Sequence, residues 1–363
     1  MRIGVVGGGQ LGRMLALAGY RLGLECRVLE ASVSSPAGQV APCVEGAYDD
    51  PAALAGFAEG LEVATYEFEN VPAETARFLA ERLPVYPPPL ALETAQDRLL
   101  EKTLFARLGI PVPAFAPIDS AEQLREALER IGLPALLKTR RFGYDGRGQT
   151  VLRTIGDAEQ TWAEMGEAPL IIEGLVPFER EVSLLAVRGR EGETVFYPVV
   201  ENTHRDGILR LSLAPAPELT TALQQEAEGY TRRVLEALDY VGVLAIEFFQ
   251  QGGRLLANEM ACRVHNSGHW SIEGAETSQF ENHLRAVAGL PLGSTRPTGH
   301  SAMLNIIGNL PDTREVLRCP GAHLHLYGKA PRPRRKLGHL TAVTQTPAEL
   351  RERLEALRPL VDP

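Results

Sequence analysis

Lys138-Thr139-Arg140-Arg141-Phe142-Gly143-Tyr144-Asp145-Gly146-Arg147-Gly148-Gln149 is the stretch on which the reading of this chain turns. The run Ala135 to Lys138 predicts a short strand, and it feeds a loop with three glycines and three arginines. Glycine lets backbone N–H groups face an anion without side-chain obstruction, and flanking Arg and Lys supply charge. That composition suits a loop covering a phosphate. It also suits a solvated basic hairpin, so the rest of the chain has to decide.

The 363 residues suggest two or three domains, and 44% hydrophobic with 23% charged residues describes a globular chain with an ample core. A net charge of −9 argues against a general nucleic-acid or membrane-surface binder. The cysteines Cys26, Cys43, Cys262 and Cys319 are too dispersed for a zinc site or a disulfide framework. MRIGVVGGGQ reads as a strand and a turn instead of a signal segment, and no apolar run reaches membrane-spanning length. A reduced, cytoplasmic setting is expected. Only Lys102, Lys138, Lys329 and Lys336 are lysines, against 37 − 4 = 33 arginines. Such a chain is expected to keep lysine where a compact ammonium is needed. Lys102 is the one read as a chance survivor.

Arg2 to Gly7, a helix from Leu11 to Leu22 and a strand at Arg27 to Glu30 form a βαβ start. Gly7, Gly9 and Gly12 meet G-x-G-x-x-G, with Glu30 near a ribose-binding position, so a nicotinamide-dependent oxidoreductase is a rival reading. A further strand, Val63 to Phe68, carries Glu67, Glu69 and Asn70 at its end, the edge where open α/β sheets bind ligands. After the Tyr86-Pro87-Pro88-Pro89 connector, one helix is expected from Ala95 to Leu108, with Arg98 and Lys102 on one face. Ala114 to Val176 then reads as a small α/β unit suited to act as a lid. Strands are expected at Glu181 to Val187, Val195 to Val200 and Ile208 to Leu213. Leu244 to Phe249 and Leu255 to Met260 flank Gly252-Gly253, which predicts a hairpin with Glu247 opposite Glu259. Two carboxylates paired within apolar runs repel and are costly to desolvate, and a magnesium ion held jointly with substrate phosphates removes both objections. The donor-rich run Arg263 to Trp270 follows. Near the C-terminus Lys329, Arg332, Arg334, Arg335 and Lys336 form a proline-stiffened basic cluster.

Taken together, GGGQLGRM (from Gly7), TYEFENVP (from Thr65), FGYDGRGQ (from Phe142), PFEREVS (from Pro177), VENTHRDGI (from Val200), NEMA with RVHNSGHW (Asn258 to Trp270) and RKLGHL (from Arg335) resemble the ATP-grasp superfamily. Within it they resemble the N5-carboxyaminoimidazole ribonucleotide synthetases of purine biosynthesis. The resemblance runs nearly end to end. It implies an α/β chain, α+β overall, with an N-terminal Rossmann-like (pre-ATP-grasp) domain over 1–93, a lid with its leading helix over 94–176, and a C-terminal ATP-grasp domain over 177–363 ending in a small β-rich subdomain. It implies a ligase that uses ATP, Mg2+ and bicarbonate to carboxylate aminoimidazole ribonucleotide through carboxyphosphate, working as a homodimer on small molecules, with no nucleic acid or membrane partner. Other ATP-grasp carboxylases are the narrower alternative.

Carried over by position, the resemblance assigns Arg98, Lys138 and the loop Gly143, Tyr144, Asp145, Gly146, Arg147, Gly148 and Gln149 to ATP. Glu173, Gly174, Leu175 and Val176 would meet the adenine edge, Glu181 the ribose, and His204 and Asn258 the nucleotide. Glu247 and Glu259 would hold the metal. Tyr144, Asp145, Arg147, Arg263, His265, Asn266 and Ser267 would meet the aminoimidazole and the carboxyl intermediate, and Lys329 and Arg335 the ribose phosphate. Arg263, His265, Lys138 and Asp145 are the catalytic candidates. Against the family pattern, Cys262 and Val264 replace prolines, Arg334 replaces a glycine, and Ala261 stands where the superfamily often has an Asn metal ligand.

Overall fold

The structure, a computed structural model, describes residues 1–361 apart from Tyr144, Asp145, Arg147 and Glu167. At the N-terminus, strands β1 (Arg2–Val6), β2 (Glu25–Glu30), β3 (Cys43–Glu45) and β4 (Val63–Tyr66) form a parallel sheet in the order β3-β2-β1-β4. The glycine turn leads from β1 into the helix Gln10–Arg21, and Gly7 has φ 106°. The turn is already occupied by the protein's own carboxylates. Gly8 N–H donates to Glu30 at 2.8 Å, while Gly9 and Gly12 N–H donate to Glu67 at 2.8 and 2.9 Å. A Cβ on Gly9 would stand 2.5 Å from Glu67 Oε1. The glycines thus make room for an internal carboxylate, and the amides a dinucleotide phosphate would need are taken. Glu30, the expected ribose acid, also accepts from the Tyr48 hydroxyl at 2.9 Å.

The expected helix from Ala95 to Leu108 is two helices, Pro89–Gln96 and Arg98–Arg107. Asp97 breaks it by adopting an extended backbone (φ −123°, ψ 110°) and accepting from Leu99 N–H at 3.0 Å as the cap of the second helix. The lid follows. Strands β5 (Phe115–Ile118), β6 (Ala135–Thr139), β7 (Gln149–Leu152) and β8 (Leu170–Gly174) form an antiparallel sheet in the order β5-β8-β6-β7. Helices Ala121–Ile131 and Ile155–Met165 cover it, and Leu124, Leu128, Leu137, Leu152 and Ile172 give it a core of its own.

The remaining strands make one nine-stranded antiparallel sheet. They are β9 (Arg180–Arg188), β10 (Thr194–Phe196), β11 (Val200–Arg205), β12 (Ile208–Ala214), β13 (Gly242–Gln251), β14 (Arg254–Ala261), β15 (His300–Ile307), β16 (Ala322–Leu326) and β17 (Lys336–Thr344). Their order is β14-β13-β9-β11-β12-β15-β17-β16, with β10 also beside β9. The expected strand from Val195 to Val200 is split around Pro198, which has no N–H to give a ladder. The basic C-terminal region continues this same sheet through β16 and β17. Along β9, Val182, Leu184 and Ala186 pack with helix Thr221–Ala237, while Leu185 and Val187 pack with helix Gln279–Ala288. Period-two alternation with both faces covered explains the unbroken apolar run there. Among the described residues no helix is long and apolar enough to cross a membrane, and the four cysteines are unpaired.

Candidate functional site

The hairpin β13–β14 sets Glu247 directly opposite Glu259, as folding about Gly252-Gly253 predicts. The ladder then shifts, so Phe248 faces Ala257 and Asn258 is the extra residue of a bulge beside Glu259. Burial pushes Glu247 up from the ordinary carboxylate range, and the Glu259 charge adds to that. Burial would raise Glu259 too, but Arg98 Nη1, 2.9 Å from Glu259 Oε2, more than offsets it and holds this carboxyl low.

Behind this pair lies a second charged group. Lys138 Nζ and Lys102 Nζ stand 3.0 and 3.3 Å from the same oxygen of Glu173. Lys102, read from sequence as a chance survivor, is fully buried, and its ammonium also lies 3.4 Å from the Ala257 carbonyl. The helix Arg98–Arg107 packs on β14, which turns the Arg98/Lys102 face inward. The scarcity of lysine was the signal, and it applied to Lys102 as well. Lys329 and Lys336 line the cavity described next, while Lys102 and Lys138 lie behind its carboxylate pair, close enough to lower Glu259.

Arg98, Gly143, His204, Glu247, Glu259, Arg263, His265, Asn266 and Lys329 line a cavity of about 520 Å³, together with Gln10, Glu67, Glu69, His269, Tyr327 and Lys336. Lys138, Glu173, Glu181, Asn258 and Ser267 do not line it, nor do Gly146, Gly148, Gln149 and 174–176. Tyr144, Asp145 and Arg147 lie outside the described residues. Arg335 also stands off the cavity, its Nη1 donating to the Ala330 carbonyl at 3.1 Å, and Lys336 takes the cavity position. Lys329 donates to Gln10 of the N-terminal helix. Glu181 accepts or shares a proton with His204 Nδ1 at 2.6 Å. Arg263 pairs with Glu69 at 2.7 Å, and its Nε is buried without a partner among the described residues. The replaced prolines, Cys262 and Val264, are both fully buried on either side of it. Ala261 is paired with Ala245 and has no ligating side-chain atom to offer.

Ser267 has a different place from the one expected. It is fully buried, and its hydroxyl lies 2.8 Å from His265 Nδ1. A chain of polar contacts leads to it across three strands: Ser212 Oγ to Asn202 Oδ1 (2.8 Å), Asn202 Nδ2 to Ser183 Oγ (2.9 Å) and Ser183 Oγ to Ser267 Oγ (2.8 Å). Ser267 N–H also donates to His265 Nδ1 at 3.4 Å. Burial, then the Arg263 charge, keeps His265 well below the usual histidine range. The neutral ring therefore accepts at Nδ1 and carries its proton on Nε2, 3.4 Å from Glu247.

Family models match this chain in three parts: a ribonucleotide synthetase preATP-grasp domain over residues 1–96, an ATP-grasp domain over 103–280, and a phosphoribosylaminoimidazole carboxylase C-terminal domain over 301–353. The chain is 53% identical to the N5-carboxyaminoimidazole ribonucleotide synthase of Pseudomonas aeruginosa, covering 100% of both. The chain belongs to the N5-carboxyaminoimidazole ribonucleotide synthase family of ATP-grasp ligases. Its fold superimposes on the Thermus thermophilus synthetase with a TM-score of 0.96 at 62% identity, covering 99% of each chain. The Aspergillus clavatus synthase, solved with ADP and 5-aminoimidazole ribonucleotide, matches with a TM-score of 0.92 at 33% identity, over 99% of this chain and 97% of that one. Family membership displaces the oxidoreductase reading, in keeping with the self-occupied glycine turn.

The loop that the resemblance assigns to ATP is anchored where it leaves β6. Arg140 forks onto Asp97, Nε to Oδ1 at 3.0 Å and Nη2 to Oδ2 at 2.6 Å, and Arg98 N–H donates to the Arg140 carbonyl at 3.0 Å. A Cβ on Gly148 would fall 2.6 Å from Thr139 Oγ1. Asp97→Asn keeps the helix cap but loses the charged fork, and is expected to raise KM for ATP by about tenfold. An unchanged KM in a steady-state titration would show that the fork does not hold the loop.

Proposed function

We propose that this chain carboxylates the exocyclic amine of aminoimidazole ribonucleotide, consuming ATP and bicarbonate and releasing ADP and phosphate, as a step of purine biosynthesis. The cavity carries the reading: the opposed carboxylates Glu247 and Glu259 line one space with Arg263, Lys329 and Lys336. A bicarbonate oxygen attacks the γ-phosphorus, giving carboxyphosphate and ADP. The amine then attacks the carboxyl carbon, and phosphate leaves.

The residues present fit Mg2+. Glu247 and Glu259 face each other on the cavity wall, so hard oxygens are in place for a cation that completes its shell with phosphates and water. When bound, the metal supplies charge against the developing phosphate anions. In this reading Arg98, Lys138 and Gly143 to Gln149 hold the phosphates, residues 173–176 meet the adenine, and Glu181 and His204 orient the ribose. Arg263 holds bicarbonate and the planar carboxyl of carboxyphosphate, because its fork suits oxyanions. His265 acts as a donor that orients, since both ring nitrogens are committed. Tyr144, Asp145 and Arg147 bind the second substrate, and Lys329 with Lys336, which takes the cavity position expected of Arg335, meets its phosphate. Closing the lid over this space would exclude the water that destroys carboxyphosphate. The reading also carries a homodimer in the cytoplasm.

The test is ADP release measured with each substrate withheld in turn. Release that requires both bicarbonate and aminoimidazole ribonucleotide is expected. Release indifferent to the ribonucleotide would overturn the assignment.

A further inference from the structure

Tyr327 follows β16 and lines the cavity, yet the family reading above gives it no part. Its hydroxyl stands 2.7 Å from His339 Nδ1 on β17. His339 is fully buried between rings. His325 stacks on it at 4.4 Å and 8°, and His269 lies at 4.9 Å and 46°. Its other nitrogen, Nε2, is buried and has no hydrogen-bond partner among the described residues.

These contacts fix where the protons are. Burial, then the neighbouring His269 and His325, keeps His339 neutral, so it carries one N–H. With the proton on Nε2, a donor would be stranded in the interior. With it on Nδ1, the unused donor is instead the Tyr327 hydroxyl, which belongs to a residue on the cavity wall where a ligand can meet it. Orphaned buried N–H groups are the rarer of the two, because a missing acceptor forfeits a full hydrogen bond. His339 therefore donates from Nδ1 to the Tyr327 oxygen. Tyr327, kept protonated by burial, is left with an O–H proton that His339 cannot accept. The cavity that Tyr327 lines also holds Lys329, two residues along, and Lys336. Those groups favour an anionic oxygen.

We propose that Tyr327 is a further substrate-binding residue, held by His339 so that its hydroxyl donates to a phosphate oxygen of the ribonucleotide. His339 is a positioning residue and touches no substrate. The proposal rests on the function proposed above.

The test uses the full chain. Tyr327→Phe removes one oxygen and is expected to raise KM for aminoimidazole ribonucleotide by about tenfold or more while KM for ATP stays put, the loss of one hydrogen bond to a charged group. His339→Leu should reproduce that rise. His339→Asn, whose side-chain amide nitrogen can replace the Nδ1 donor, should recover most of it, which a merely structural role would not predict. Nitrogen-15 NMR of the wild-type protein should find His339 protonated at Nδ1, and this readout does not depend on any variant folding. An Nε2–H tautomer, or an unchanged KM in Tyr327→Phe, overturns the proposal and leaves the proposed reaction standing. Wild-type protein that releases no ADP in response to the ribonucleotide overturns the reaction itself.

Discussion

Glu259→Ala is expected to lower ribonucleotide-dependent ADP release by about a thousandfold or more, the several kcal/mol that a bound metal contributes to phosphoryl transfer. Glu259 is the ionised member of the carboxylate pair, because Arg98 holds its proton off. Glu247 alone, pushed toward its neutral form, is a poor ligand until a cation arrives. The fold should survive the change. The Glu259 side chain is 40% exposed and Arg98 retains contact with the Gly143 carbonyl at 3.3 Å, so the ion pair is worth only about 1 kcal/mol to stability. Turnover within tenfold of wild type, in protein that melts normally, would remove Glu259 from the metal site.

Glu173→Ala should act in the opposite way, on the fold first. Here the carboxylate is 3% exposed and the two ammonium groups that share its oxygen are 0% and 6% exposed. Removing it strands two buried cations, which costs about 3–5 kcal/mol and lowers the melting temperature by on the order of ten degrees. The sign of the pH dependence follows. Burial would raise Glu173, but Lys138 and then Lys102 pull it below the ordinary glutamate value. Its contribution is therefore fully present above that value and is lost as pH falls below it. A melting temperature within two or so degrees of wild type at neutral pH would mean that the lysines find other partners.

The contrast shows what could be read from the chain and what could not. The hairpin register was legible because a Gly-Gly turn fixes which residues oppose each other, and a one-residue slip would expose the apolar face. The bulge at Asn258 was not, since it depends on the neighbouring strands. Lys102 was misjudged because helix periodicity says which residues share a face, while the strand packed against that face decides whether it is buried. Glu173 was assigned to the adenine edge, and nothing local announces that its side chain will meet Lys102 and Lys138 from two other elements. The glycine turn misled for a related reason: its anion is Glu67, supplied 55 residues beyond Gly12. The polar chain from Ser212 to His265 and the Tyr327–His339 pair likewise exist only once strands far apart in sequence lie side by side.

One departure from what the resemblance implies bears on how tolerant the basic C-terminal region is. Arg334, where glycine is expected, adopts φ 62°, a conformation glycine takes freely and arginine resists by about 1 kcal/mol. Its Nη2 donates to the Asp206 carbonyl at 3.0 Å, a bond worth about as much in return. A glycine would shed the strain but forfeit the bond and add freedom to the unfolded chain. Gains and losses of this size nearly cancel. Exchange of the two residues should therefore cost little stability, and Arg334→Gly is expected to melt within about two degrees of the present chain.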